Sequence, residues 1–185
     1  MGGRRLAPLP RRGAVESVSL SRVLSDQEID ALIREAKPLP ENWQARLRLR
    51  QKQHYQQEER ELTVESQTGK QFRLIARRSR QNQLDFSIML VFEDDDGAEY
   101  RLVRYNGLHP SRHTNRLERE SGVANSRFGP DFHIHRATER YQRAGHAIDG
   151  YAEVTGSYTD FGSALEAFLN DCGFRRPESP QQRLL

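Results

Sequence analysis

At 185 residues the chain has the length of one domain, and an apolar fraction of 35% beside 30% charged residues leaves material for only a small core. No window has the apolar length of a membrane-spanning helix, the start (MGGRRLAPLPRRGAVES) lacks the apolar run of a signal peptide, and the single Cys172 excludes an internal disulfide framework or a four-thiolate zinc site. The net charge of +3 conceals two basic blocks: residues 44–80 hold 10 Lys and Arg against 4 Asp and Glu, residues 101–145 hold 9 against 4, and residues 81–100 between them hold none against 6.

Residues 1–20 carry Gly, Pro and Arg without apolar periodicity and read as a disordered basic arm; the polar stretch 176–185 reads as a disordered tail around one domain, 21–175. Ser25 followed three residues on by Glu28 has the spacing of a capping box. Ile29, Leu32 and Ile33 then form one helical stripe, which Leu39-Pro40 terminates. Leu47 and Leu49 alternate with Arg46, Arg48 and Arg50, which predicts a strand with one apolar and one basic face. ELTVE (61–65), a Thr-Gly-Lys turn and QFRLIAR (71–77) predict a hairpin. LDFSIMLVF (84–92) is the most apolar strand and hence central, and an Asp-Gly turn returns the chain through EYRLVRY (99–105). Residues 106–130 lack periodicity and read as a long loop, before a short strand at DFHIHRA (131–137). A last helix, capped by Thr159 or Asp160, places Phe161, Leu165, Phe168, Leu169 and Cys172 on one stripe and ends at Gly173. The fold class is therefore α+β: an antiparallel β-meander packed with a C-terminal helix, plus an N-terminal helix.

Chemistry concentrates between residues 104 and 141. Four of the six histidines are His109, His113, His133 and His135, accompanied by Arg104, Arg112, Arg116, Arg136, Tyr105 and Tyr141. In a strand His133 and His135 project from one face, with Phe132 and Ile134 turned to the core and the imidazoles exposed. Two imidazoles can act as general base and general acid without a metal, as phosphodiester cleavage through a 2′-hydroxyl requires. Arginine matches phosphate oxygens and stabilises the charge developing on phosphorus. This assigns His133, His135, Arg136, His109 and Tyr141 to catalysis. Arg104, Arg112, Arg46, Arg48 and Arg50 are assigned to nucleic-acid binding. Three plainer readings stand beside it. An exposed His-x-His can be surface without a task; the same histidines with Glu139 could hold zinc or iron; and the arginine excess, with only three Lys among 29 basic residues, can reflect nucleotide composition.

The runs LDFSIMLVF (84–92), RLVRYNGLH (101–109), FHIHRATERYQ (132–142), DGYAE (149–153) and SALEAFLNDCGF (163–174) resemble an uncharacterised family of small bacterial proteins with a Tyr-Asn-Gly turn and a His-x-His strand. The resemblance covers about residues 26–175. Arg104-Tyr105-Asn106, His109-Pro110 and the strand histidines are also similar to features of TumE-like toxins of toxin–antitoxin systems, from which the chain departs by its insert at 111–130 and its N-terminal region. That similarity implies RNA cleavage and a cognate antitoxin. The expectation is thus an RNA-directed cytoplasmic protein, a metal-independent endoribonuclease of toxin or phage-defence type without a cofactor. The alternatives are a non-catalytic module that binds nucleic acid or a protein through its basic face, and a metal-binding protein.

Overall fold

The computed structural model describes residues 22–47, 50–51, 57–124 and 126–178; the expected arm and most of the tail lie outside the described residues. The elements in chain order are α1 (Asp26–Arg34), β1 (Lys37–Pro38), α2 (Trp43–Arg46), β2 (Arg50–Gln51), β3 (Gln57–Glu65), β4 (Gln71–Ser79), β5 (Phe86–Glu93) and β6 (Glu99–Asn106). After these come β7 (His113–Thr114), α3 (Arg116–Glu120), β8 (Arg127–Phe128), β9 (His133–Arg136), α4 (Glu139–Arg143), β10 (Tyr151–Val154), α5 (Phe161–Asp171) and β11 (Phe174–Arg175). Seven strands form one antiparallel sheet in the order β10-β9-β6-β5-β4-β3-β2. Its centre is the expected meander β3 to β6.

The alternation of β5 decides the two faces. Phe86, Ile88, Leu90 and Phe92 enter the main core with Phe72, Leu74 and Tyr105 of the neighbouring strands, and α1 and α5 supply the other layer. Met89 and Val91 point the other way and make a small cluster with Ile75. Both helices are fixed as their sequences predict. Ser25 and Glu28 complete a capping box on α1 and bury Ile29, Leu32 and Ile33; Asp160 and Ser163 do the same for α5, which buries Ala164, Phe168 and Leu169. Gly173 has φ +70, and a Cβ there would lie 2.4 Å from the Glu35 carbonyl, so only glycine permits this approach of the two helix ends.

A buried cation joins those ends. Lys37 is fully buried, and its Nζ lies 2.7–3.0 Å from the carbonyls of Leu32, Ile33, Glu35 and Cys172, which close α1 and α5. The negative ends of two helices hold the charge, the Phe72 ring lies 4.3 Å from Nζ, and burial lowers its pKa to about 8.

Two expected elements differ. Residues 43–46 are a helical turn, because Trp43 and Leu47, four apart, bury together; Arg46 is exposed on that turn, not on a strand. Arg48 lies outside the described residues, and Arg50 is in β2 with its side chain likewise outside them. The long loop is also ordered: β7 and β8 pair, with α3 between them.

Phe168 is inaccessible to solvent and sits edge-on to Tyr105 at 5.4 Å. Phe168→Ala is expected to lower the unfolding free energy by roughly 3–5 kcal/mol, read by thermal or denaturant melting. An unchanged midpoint would mean that α5 does not dock on the sheet.

A closed histidine cluster beside a basic cavity

Register sets this site. Ser87, Asn106 and His133 lie in one row across β5, β6 and β9, and Met89, Arg104, His135 and Ala152 lie in the next, extended onto β10. A β-bulge between Leu90 and Val91 lets Leu102 and Val103 both enter the core. It thereby turns Arg101 to the same face as Arg104, which regular alternation would forbid for residues three apart. Both reach Asp149, whose side chain is 3% exposed: Arg101 Nη1 lies 3.2 Å and Arg104 Nε 3.3 Å from Oδ2.

The strand histidines do share the face opposite Phe132 and Ile134, but they are not exposed: His133 is 5% and His135 2% accessible. His135 Nδ1 donates to the Asp149 carbonyl at 2.8 Å. Arg104 Nη2 lies 3.1 and 3.2 Å from the two ring nitrogens, a position against the ring face and not in line with one lone pair. His133 Nδ1 donates to the Asp131 carbonyl at 2.6 Å, and Nε2 accepts from Asn106 Nδ2 at 3.0 Å. Burial, together with Arg104 and the neighbouring histidines, lowers the pKa of His133 to about 4 and that of His135 to about 2. Both rings are therefore neutral Nδ1–H tautomers at pH 7, and neither is the charged partner that an acid/base pair needs.

The insert forms their roof. The His113 ring stands 4.6 Å from that of His135 and 5.8 Å from that of His133, and Phe128, its partner across the β7–β8 hairpin, covers His133 at 5.3 Å. Asn115 fastens the roof to the edge strand, donating to the Ala152 carbonyl at 2.8 Å and accepting from the Ala152 amide at 2.9 Å. The same oxygen accepts from His113 Nε2 at 2.9 Å. Burial lowers the His113 pKa against the upward pull of Asn115. His109, half-buried, is held by Asp85.

Beyond the roof opens a cavity of about 500 Å³, lined among others by Arg112, His113, Arg116, Tyr141, His146 and Gly150. His113 is the only member of the cluster that lines it. Tyr141 donates to Glu118 at 2.6 Å, and burial and that carboxylate push its pKa up to about 12, which keeps it protonated. A Cβ at Gly150 would lie 2.5 Å from the Tyr141 ring, so the wall there must be bare backbone.

The structure thus separates the expected site residues. His133, His135, His109 and Arg104 come together under cover; Arg112 and Tyr141 line the cavity. Arg136 stands apart, because strand alternation puts it on the face of Ile134, where it pairs with Val103. It cannot clamp a phosphate at histidines one and three residues earlier. Arg104, expected at nucleic acid, is instead committed to Asp149 and His135. Among the described residues no group of three or more His, Cys, Asp or Glu side chains converges on a metal position; Nδ1 of His133 and of His135 is spent on a backbone carbonyl, and Nε2 of His133 and of His113 on an asparagine side chain. Sequence reading overlooked His146 and Asp149. Asp149 stands in the DGYAE run, but nothing in the run itself reveals its two arginines.

A family model matches residues 24–173, which spans both helices, the sheet and the cluster. The chain belongs to the family of unknown function DUF6978. No curated protein and no solved structure matches the chain. The family's extent agrees with the single α+β unit, from the α1 cap to the glycine after α5. Among the described residues no helix is long and apolar enough to cross a membrane.

Because both strand imidazoles titrate below the ordinary 6.5, the unfolded chain binds protons that the folded chain refuses, from pH 6.5 down to about 4 at His133 and to about 2 at His135. Their contribution to stability is complete above that window and is lost as pH falls through it. Denaturant midpoints should therefore drop from pH 7.5 to 5, and drop less in a His133→Gln/His135→Gln variant. A flat profile in the parent protein would show that the rings are not buried neutral.

Proposed function

We propose that the protein is an RNA-binding module that holds phosphate at the cavity beside the roof and does not cleave it at the strand histidines. The observation that carries this reading is the distribution of carboxylates. On the sheet, Arg73 pairs with Glu61 and Glu99, Arg77 with Glu59, and Arg101 and Arg104 with Asp149. The cavity lining contains two arginines and two histidines and no carboxylate, and Arg112 and Arg116 form no ion pair among the described residues. Cations left without an internal partner suit an anionic ligand, and guanidinium forks suit phosphate. RNA and a cognate protein partner are what the similarity to TumE-like toxins implies, and a cytoplasmic setting is the expectation from the single cysteine and the start without an apolar run. Should RNA be cleaved, the imidazoles in reach of it are His113 and His146, which line the same cavity.

Titration of a labelled single-stranded RNA at several salt concentrations tests the reading, since each neutralised phosphate releases counterions. Arg112→Ala and Arg116→Ala should each weaken binding about uniformly across sequences and reduce the salt slope by about 1. Arg136→Ala, on the opposite face, should leave both unchanged. No binding at low salt, or an affinity indifferent to salt, would refute it.

A further inference from the structure

The same cavity says more about its ligand. Resting on the RNA-binding reading, we infer that it is a site for a phosphate monoester, the terminal phosphate of a nucleotide, and not for the diester of an internal linkage.

Charge is the first ground. A diester carries one negative charge and two free oxygens; a monoester carries close to two charges at pH 7 and three acceptor oxygens. Two guanidinium groups without internal partners, Arg112 and Arg116, match the second and over-supply the first. The nearby carboxylates do not cancel them. Glu118 is taken by Arg140 and Tyr141, Asp149 by Arg101 and Arg104, and Glu120 lies 3.9 Å from His146 with its side chain 61% exposed.

Shape is the second. About 500 Å³ falls in the range of small-molecule pockets, room for one nucleotide and not for a run of them. On the inner side it is blind: His113 forms part of the lining, and directly behind it stand His135 at 4.6 Å and His133 at 5.8 Å, both buried. Gly150 lies flush against the Tyr141 ring on another wall. His113 has Nε2 engaged by Asn115, so it borders the phosphate as part of the wall, and the forked hydrogen bonds fall to the arginines.

The test uses the full chain and one RNA oligonucleotide made with a 5′-phosphate, with a 3′-phosphate, or with hydroxyls at both ends. Adenosine 5′-monophosphate and inorganic phosphate are titrated separately by calorimetry. At least one phosphate-ended oligonucleotide should bind ten-fold or more tightly than the hydroxyl-ended one, and Arg112→Ala and Arg116→Ala should each erase that gain. Binding of the mononucleotide with no binding of any oligonucleotide would also support the monoester site, with a free nucleotide as its source, while sinking the RNA reading. Equal affinity for all three oligonucleotides would overturn the monoester inference and leave RNA binding intact. Failure of every probe to bind would overturn both.

Discussion

A single buried carboxylate organises the polar face of this sheet. Asp149 is almost inaccessible, and an ionised carboxylate in that position costs several kcal/mol unless it is compensated. Its compensation comes from Arg101 and Arg104, which reach it together only because the bulge in β6 returns both to one face. Arg104, so placed, lies against the His135 ring, and the Asp149 carbonyl takes the proton of His135 Nδ1. The ion pair, the tautomer and the neutrality of the cluster are thus one arrangement. The next residue, Gly150, forms the wall of the cavity. The position of Asp149 therefore fixes the closed cluster on one side and the open basic pocket on the other.

Two classes of charged group follow from this. Charges that serve the fold are satisfied inside it: Lys37 by four helix-end carbonyls, Asp149 by two arginines, and the sheet arginines by glutamates across the strands. Such pairs across a partly exposed sheet contribute little stability individually, and they leave the face nearly neutral. Arg112 and Arg116, at the cavity, are the cations we propose to serve a ligand. The contrast is visible in neighbouring arginines: Arg140 is tied to Glu118 and lies over Tyr151 at 4.9 Å, whereas Arg112 and Arg116 line an opening that contains no carboxylate.

Local signals made most of the framework legible in the sequence. The capping box of α1, the cap and stripe of α5, the Asp-Gly turn and the alternation of β3 to β6 each act over a few residues, and each appears where its pattern predicts. The alternation over residues 46–50 misleads because Leu47, its first apolar member, packs with Trp43 four residues earlier on a turn of helix, a spacing the alternation does not include. The insert reads as a loop in the sequence because β7 and β8 are two residues each, too short for any periodicity. The site was legible as a set of residues and not as an arrangement. Parity alone could have removed Arg136 from the histidine pair. Burial of the pair could not be read, because it depends on a roof built 20 residues earlier and pinned by Asn115 to Ala152. Lys37 and Asp149 escaped notice for the same reason: their partners lie far away in sequence.

The histidine cluster is a closed part of the scaffold, and the ligand chemistry we propose lies in the cavity beyond His113. The nitrogen NMR signals of the imidazoles test this most directly, in protein labelled at histidine and titrated from pH 8 to 5. His133 and His135 should each show a protonated Nδ1 and an unprotonated Nε2 at pH 7, with no titration down to pH 5. A ring of either residue that is charged at pH 7, or that titrates near 6.5, would contradict the closed neutral cluster and return the strand pair to acid/base chemistry.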